Sequence, residues 1–558
     1  MKQPRNRVVF KPYSPNQLSL LPPSLEELIA PNHPVRVVNS VIDKLELSQL
    51  EQNYKGGGTS SFHPRMLLKV LVYGYLSNIY SSRQLEAATK ESIYMMWLSG
   101  MSRPDHNTIN RFRGQRLKDH LKEIFRQVVL LLVESGHVSL KEIYTDGTKL
   151  ESVANRYSFV WGRAIETNKK KMYSQLEELW SYTQKIASEE SKSIDLPSFE
   201  AIDSEKIAKT VDQIHQVLKQ THVEESQKAE KKKVQAKARY AQRNWSSKWK
   251  DYTKSEEILG QRSSYSKTDP DATFMRLKDD HMQNGQLKPA YNWQISTANQ
   301  YVTHYSIHQT TTDTTLLKEH LSGFQEQYQQ MPESITADAG YGSEENYDFL
   351  QENKIESFVK FNLFHHEQTD KFKAQINKID TLFYNQEQNC FYCPMGQKMT
   401  NIGTFTKKTD NDFQQTITKY QAKNCEGCPL RGTCHKQTGN RIIEVNMKLR
   451  LHKQKIREKL HSEEGIKHRK QRPQDVEATF GQIKSNHNFK RLRLKGLAKV
   501  EIEVGLACIA HNLRKKACKD AQKTEKVKNK PQKQSKSQKT TILCLSQQKI
   551  RQNLPLAA

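Results

Sequence analysis

Long hydrophobic runs are missing from this chain. The longest extends only from Val128 to Val133, whereas a helix that crosses a bilayer needs about 20 apolar residues. Met1 to Asn16 is polar and has no apolar core of the kind a secretory signal requires. The two absences predict a soluble, cytoplasmic protein with no membrane partner. Cysteine is also sparse: 8 in 558 residues do not make the disulfide framework of a small secreted domain, so their spacing matters more than their number. No convincing Ser-His-Asp set is present, which is no objection to phosphodiester chemistry at a metal site, where water or a DNA 3′-hydroxyl is the nucleophile. Acid is in deficit, with 61 Asp and Glu against 88 Lys and Arg and a formal net charge of +27. Such an excess of base attracts a polyanion by neutralising phosphates and releasing counterions, and double-stranded DNA is the expected partner. A plain, solvated basic surface is the alternative.

The length suggests roughly three or four domains. Residues 1–60 form a Pro- and Leu-rich lead-in segment closing on Gly56-Gly57-Gly58. Residues 61–137 read as a helical domain of helix-turn-helix type. Pro64 suits a first helical position, Ser81 and Ser82 can cap a second helix, and Ile93 to Leu98 makes a third that Gly100 stops. Asp105 caps His106 to Gln115, which carries Asn107, Asn110, Arg111 and Arg113 on polar faces. These four are the candidate DNA-reading residues, and an ordinary helical bundle with a charged exterior is the competing account. A further helix, Leu117 to Ser135, follows. Residues 166–261 are rich in Lys, Glu and Gln with apolar residues at helical spacing (Ile207, Val211, Ile214, Val217), and predict a helical hairpin or coiled-coil-like insertion.

Strand signals occur at Ile143–Gly147, Tyr291–Thr297, Tyr301–Ile307, Ser334–Asp338 and Glu356–Phe361, with helices at Thr314–Phe324 and Glu344–Glu352. With the insertion removed, the order is three strands, helix, strand, helix, strand and a final helix. This predicts an α/β fold with a ribonuclease-H-like core, assembled from 138–165, 262–365 and 455–515. Three acidic residues stand in it: Asp146 and Asp338, each expected to end a strand, and Glu477 on the final helix. Singly each has a plain explanation: Asp146-Gly147 a tight turn, Asp338 a cap, Glu477 a solvated helix residue. Jointly they suit a metal site, because Mg²⁺ (or Mn²⁺) takes hard oxygen ligands and leaves positions for phosphate and water. Val476, Phe480 and Ile483 make one apolar stripe, and Glu477 and Lys484 share the adjoining one.

Cys390-x₂-Cys393 and Cys425-x₂-Cys428-x₅-Cys434, within an insertion at 366–454, have the spacing of a structural Zn²⁺ site. Four thiolates close such a site, with Cys434 or His435 as the alternate ligand and reduced, unligated cysteines as the competing account. Arg491, Arg493 and Lys495, if extended, share a face suited to a phosphate backbone. The tail, 516–558, is basic and poor in apolar residues from Lys519 to Lys539, which predicts disorder.

Several of these stretches also carry a family resemblance. Pro64 to Arg113, with Tyr73-Gly74-Tyr75 and Pro104 to Phe112, Thr145 to Lys149, Thr268 to Ala272, Asn284 to Pro289, Ala337 to Gly342 and Val476 to Lys484 resemble the DDE transposases of bacterial insertion sequences, in the branch named IS-eleven-eighty-two. The resemblance covers about residues 1–515. It implies metal-dependent cleavage at the terminal inverted repeats of an element and strand transfer into target DNA, by a homodimer in a synaptic complex. It also implies that Asp146, Asp338 and Glu477 are the metal-binding triad, with Lys484 and Arg472 as further catalytic residues. Arg469 stands where the family often has a tyrosine, and the roles of Asp269 and Asp271 are open, a turn at Asp269-Pro270 being the plainer reading. A ribonuclease-H-like nuclease without strand transfer, and a catalytically silent DNA-binding repressor, are the rival expectations.

Overall fold

Two units make up the chain, residues 1–113 with 513–558 and residues 114–512. The structure, a computed structural model, describes residues 24–54, 61–189, 203–220, 228–277, 285–409, 411–436 and 438–528. The glycine run at 56–58 and the tail beyond Lys528 lie outside these.

The first unit is helical: α1 (Pro34–Asp43), α2 (Ser48–Gln52), α3 (Pro64–Leu76), α4 (Ser82–Glu91), α5 (Ile93–Leu98) and α6 (His106–Arg111). Proline opens α1 and α3, where the missing N–H has no intrahelical partner to lose. α3 is apolar and buried almost throughout. A Cβ at Gly74 would stand 2.2 Å from the Leu85 side chain, so the glycine lets α3 and α4 approach closely. Asp105 caps α6 by accepting from the Thr108 N–H at 2.9 Å. The expected helix to Gln115 ends earlier as α-helix, at Arg111, and continues as a π-helical turn over Phe112–Arg116.

The second unit is built on a mixed sheet. Its strands are β1 (Glu142–Glu151), β4 (Thr273–Arg276), β5 (Leu287–Ala298), β6 (Tyr301–His308), β7 (Ser334–Ala337) and β8 (Glu356–Val359). The order is β4-β5-β1-β7-β8, with β6 also on β5. β1, β5 and β6 are antiparallel, joined at β5–β6 by Asn299 and Gln300, both at positive φ, the geometry of a tight primed hairpin turn. β1, β7 and β8 run parallel, which requires crossovers. These are supplied by α11 (Leu317–Tyr328) and α12 (Glu344–Glu352). β5 is buried from Pro289 onward on both faces, as a strand covered from two sides must be. This topology is compatible with a ribonuclease-H-like core. α7 (Leu121–Glu134) belongs to this unit and not to the helical one.

Two insertions interrupt it. β2 (Phe159–Trp161) and β3 (Ser264–Ser266) pair and close the base of the first, which holds α8 (Gly162–Glu189), α9 (Ser204–Gln220) and α10 (Lys228–Leu259). Where a hairpin was expected there are three helices among the described residues. The stripe Ile207, Val211, Ile214 and Leu218 of α9 is buried with Leu176, Trp180 and Trp245 in a core of its own. The second insertion follows α13 (Asp370–Lys373) as an antiparallel meander of β9 (Tyr384–Asn385), β10 (Cys390–Tyr392), β11 (Lys398–Lys408), β12 (Gln414–Ala422) and β13 (Ile442–Val445). Then come α14 (Met447–His461), α15 (Glu463–Arg472), α16 (Ala478–Gly481) between two π-helical turns, and α17 (Leu497–Lys528). α17 corrects the expected disorder of the tail: from Lys519 to Lys528 the backbone is still helical, because a long helix propagates through Lys, Ala and Gln at little cost.

Candidate active site

β1 and β7 are in parallel register with Thr145 opposite Ala337. The residues that follow this last pair are Asp146, which continues along β1, and Asp338, the first residue past the end of β7. Asp338 leaves the end of β7 in extended geometry and opens a short 3₁₀ turn, as expected. Asp146 does not end its strand: β1 continues to Glu151, with Asp146 opposite Ile295. The turn reading of Asp146-Gly147 is therefore overturned. Gly147 serves a different need, because a Cβ there would lie 2.3 Å from the Gln294 amide nitrogen.

The third acid reaches the pair through an arginine. Arg472, buried at the end of α15, donates to Glu477 Oε1 at 2.6 Å and sits 3.2 Å from Asp146 Oδ1. A planar guanidinium can hold two carboxylates at once. α15 is itself anchored one turn earlier, where His468 Nδ1 meets the Tyr144 hydroxyl at 3.0 Å and its ring stacks on Phe358. The following π-helical turn, Pro473–Glu477, is fastened by Asp475, whose buried carboxylate accepts from the Gln300 N–H at 2.8 Å. Val476, Phe480 and Ile483 are buried, and Phe480 meets Trp293 edge-on at 5.2 Å. Glu477 is left half-exposed, with 49% of its side chain accessible. Lys484 Nζ donates to Thr148 Oγ1 at 3.1 Å, and Thr148 follows Asp146 by two residues on the same face of β1.

Further groups lie beneath these acids: Asn292, Gln294 and Asp313 stand outside the motif stretches, whereas Lys149 and Tyr341 belong to them. Asp313 accepts from the Asn292 amide at 2.7 Å and the Gln294 amide at 3.0 Å, and pairs with Lys149 at 3.5 Å. Tyr341 donates to the side-chain amide oxygen, Oε1, of Gln294. Burial pushes the Tyr341 hydroxyl pKa well up, and the charges of Asp146, Asp313 and Asp338 add to that while Arg472 opposes it. Lys360, after β8, is pulled below the ordinary lysine value by burial and by Arg472, with Asp338 and Glu477 pulling the other way. The alternation that marks β5 as a strand could have flagged Asn292 and Gln294, polar residues on a buried strand. Asp313 lies in a Thr-rich run that has no periodic signal.

The donor set fits a divalent ion in kind, since all three triad groups offer hard carboxylate oxygens. The Arg472 guanidinium occupies the cationic position between Asp146 and Glu477, and among the described residues no three His, Cys, Asp or Glu side chains are gathered around one point as they stand.

The remaining candidates are spread over the chain. Asn107, Asn110 and Arg111 are exposed on α6. Arg113 is a correction: it is 3% exposed and donates to the Tyr80 carbonyl at 2.7 Å, so it braces the helical unit and does not face a ligand. Arg493 and Lys495 are exposed while Leu492 is buried. Arg491 is exposed but its guanidinium is engaged, 3.5 Å from Glu151 and donating to the Ser152 carbonyl at 3.2 Å. Asp269 is buried and accepts from Ser152, Tyr291 and the Gly496 N–H, and Asp271 accepts from the Leu497 N–H at 2.8 Å. Both tie the turn at Pro270 to the start of α17. Cys393, Cys425, Cys428 and Cys434 line one small cavity, and Cys390 is not among its walls.

Two family models match. The transposase DDE domain covers residues 392–517 and a transposase domain, DUF772, covers residues 23–115. The first takes in Arg472, Glu477 and Lys484, and the second takes in α1 to α6. No curated protein and no solved structure matches the chain.

Proposed function

We propose that this chain, a transposase of the DDE insertion-sequence type, cuts DNA at the ends of its element and joins those ends to target DNA. The observation that carries this reading is that Asp146 and Asp338 directly follow Thr145 and Ala337, the last paired residues of the parallel strands β1 and β7, with Glu477 linked to Asp146 through Arg472. In this reading Asp146, Asp338 and Glu477 hold the divalent ions, Mg²⁺ or Mn²⁺, that DDE transposases typically use. Bound there, such ions activate the attacking oxygen and stabilise the leaving one. Arg472 orients Asp146 and Glu477 and balances their charge when no ion is held between them. Lys484 neutralises a phosphate beside the triad. Asn107, Asn110 and Arg111 on α6 and the exposed Arg493 and Lys495 supply base and backbone contacts. The two ends of an element must be held together, so a homodimer is the expected working unit. The motif set supports placement in the IS-eleven-eighty-two branch.

The test is an end-joining assay with DNA bearing the element's terminal repeats and a target plasmid, in Mg²⁺ and in EDTA, with Asp338→Asn as control. Metal-dependent cutting with joining, lost in the variant, is the expected result. Cutting without joining supports a nuclease instead. Salt-sensitive binding with no cutting in any metal supports a silent DNA-binding protein.

A further inference from the structure

The meander of β9 to β13 takes no part in the site described above, yet four of the chain's cysteines meet in it. Cys393 follows β10 at the turn into β11, and Cys425, Cys428 and Cys434 lie in the long loop between β12 and β13. All four line one cavity of about 20 Å³. A volume near one probe sphere admits a single small particle. Hydrophobic packing does not account for the loop that carries three of them. It contributes Cys425 to the core of the meander, and Glu426, Gly427, Leu430's neighbour Arg431, Gly432 and Thr433 are exposed or nearly so.

Two further features mark the cavity. The sulfurs already receive N–H donors: the Arg441 backbone N–H points at Cys425 Sγ at 3.3 Å, and the Arg441 guanidinium at Cys434 Sγ at 3.0 Å. Donors of this kind surround metal-bound thiolates and orient them. His435, in the same cavity wall, has both ring nitrogens buried without a hydrogen-bond partner among the described residues; it borders the sulfurs but stands outside the ligand set, because four thiolates already complete a tetrahedron. None of these four is in a disulfide.

We infer that Cys393, Cys425, Cys428 and Cys434 bind one structural Zn²⁺ ion, and that Cys390, which the CxxC spacing pairs with Cys393, is not a ligand. Cys390 is buried on β10 opposite Thr400, away from the cavity. Thiolate ligation in a closed tetrahedral site is what zinc favours, and each thiol gives up its proton on binding. The sulfurs do not converge as they stand, so binding turns them inward by side-chain rotation. The ion then rivets the β10–β11 turn to the β12–β13 loop. This assignment is independent of the DNA chemistry proposed above.

The test uses the full chain, purified under reducing conditions without chelator and then supplied with Zn²⁺. Atomic emission is expected to find about one zinc per chain. Cys425→Ser and Cys434→Ser each lose it, whereas Cys390→Ser and His435→Ala keep it. Replacement of the zinc by Co²⁺ in the unsubstituted protein gives sulfur-to-metal charge-transfer absorption and the visible bands of a tetrahedral thiolate site, which decides the matter even if a serine variant fails to fold. Zinc far below one per chain with no cobalt spectrum overturns the site. Loss of zinc in Cys390→Ser, or its retention in Cys434→Ser, overturns the ligand set.

Discussion

Arg472 holds two carboxylates that would otherwise repel, and its own charge is buried among them. Removing it strands Asp146 with no counter-ion on that side. Arg472→Ala is therefore expected to lower end cleavage by about 10- to 100-fold, the equivalent of one or two charge-assisted hydrogen bonds. Arg472→Lys is expected to recover little, because an ammonium cannot span both acids with a rigid fork. Single-turnover cleavage of end DNA measures both. Arg113 and Arg111 make the opposite pair. Arg113→Ala removes the donor to the Tyr80 carbonyl and should destabilise the helical unit by about 1–3 kcal/mol. Arg111→Ala should leave its melting unchanged and weaken DNA binding, with a shallower salt dependence. Sequence patterning does not separate these arginines, because it shows neither the Tyr80 carbonyl that satisfies the buried guanidinium nor the solvent around the other. Asp313 was illegible for a related reason: its partners Asn292 and Gln294 come from a strand remote in sequence, and only register brings them together.

At the scale of elements, the strand order of the core was legible because β5, β6 and β7 are β-branched and aromatic runs bounded by turn residues. The continuation of β1 past Asp146 was not, because Asp-Gly is locally a turn signal. Tertiary pairing with β5 overrides it. Gly147→Ala should thus disturb the bed beneath Asp146, since Gln294 is held by Asn292, Asp313 and Tyr341 and cannot step aside. A loss of about 1–3 kcal/mol of stability is expected for such overpacking, read by chemical denaturation. The helical insertion has its own core and a base closed by β2 and β3. Its third helix escaped the sequence reading because one apolar stripe looks alike in a hairpin and in a bundle. The seam of β6 and α11 is the acid-sensitive element. The His304 ring lies 4.7 Å from that of His320, tilted by 59°, and both residues are buried. Burial takes the His304 pKa from 6.5 down to about 4. In that interval the unfolded chain binds a proton that the folded chain excludes, so stability is full above 6.5 and falls as pH drops toward 4. Melting temperature followed across this range should decline, and His304→Asn should flatten the decline.

For the whole molecule, a net charge of +27 predicts DNA affinity that falls steeply and linearly with the logarithm of salt concentration, for specific and non-specific DNA alike. That charge was the most legible property of the chain and the least specific. What it could not convey is which distant acids are neighbours: Asp146, Asp338 and Glu477 are far apart in sequence, and the link from Asp146 to the end of β7 and to Glu477 depends on the β1–β7 register, on Arg472 and on the anchoring of α15 by His468. The most direct test that the three share a site is Mn²⁺ binding to the protein on end DNA, followed by the electron paramagnetic resonance of the free ion. One shared site predicts that Asp146→Asn, Asp338→Asn and Glu477→Gln each weaken the same binding event while DNA binding persists. Any one of the three binding Mn²⁺ as the unsubstituted protein does would contradict the account.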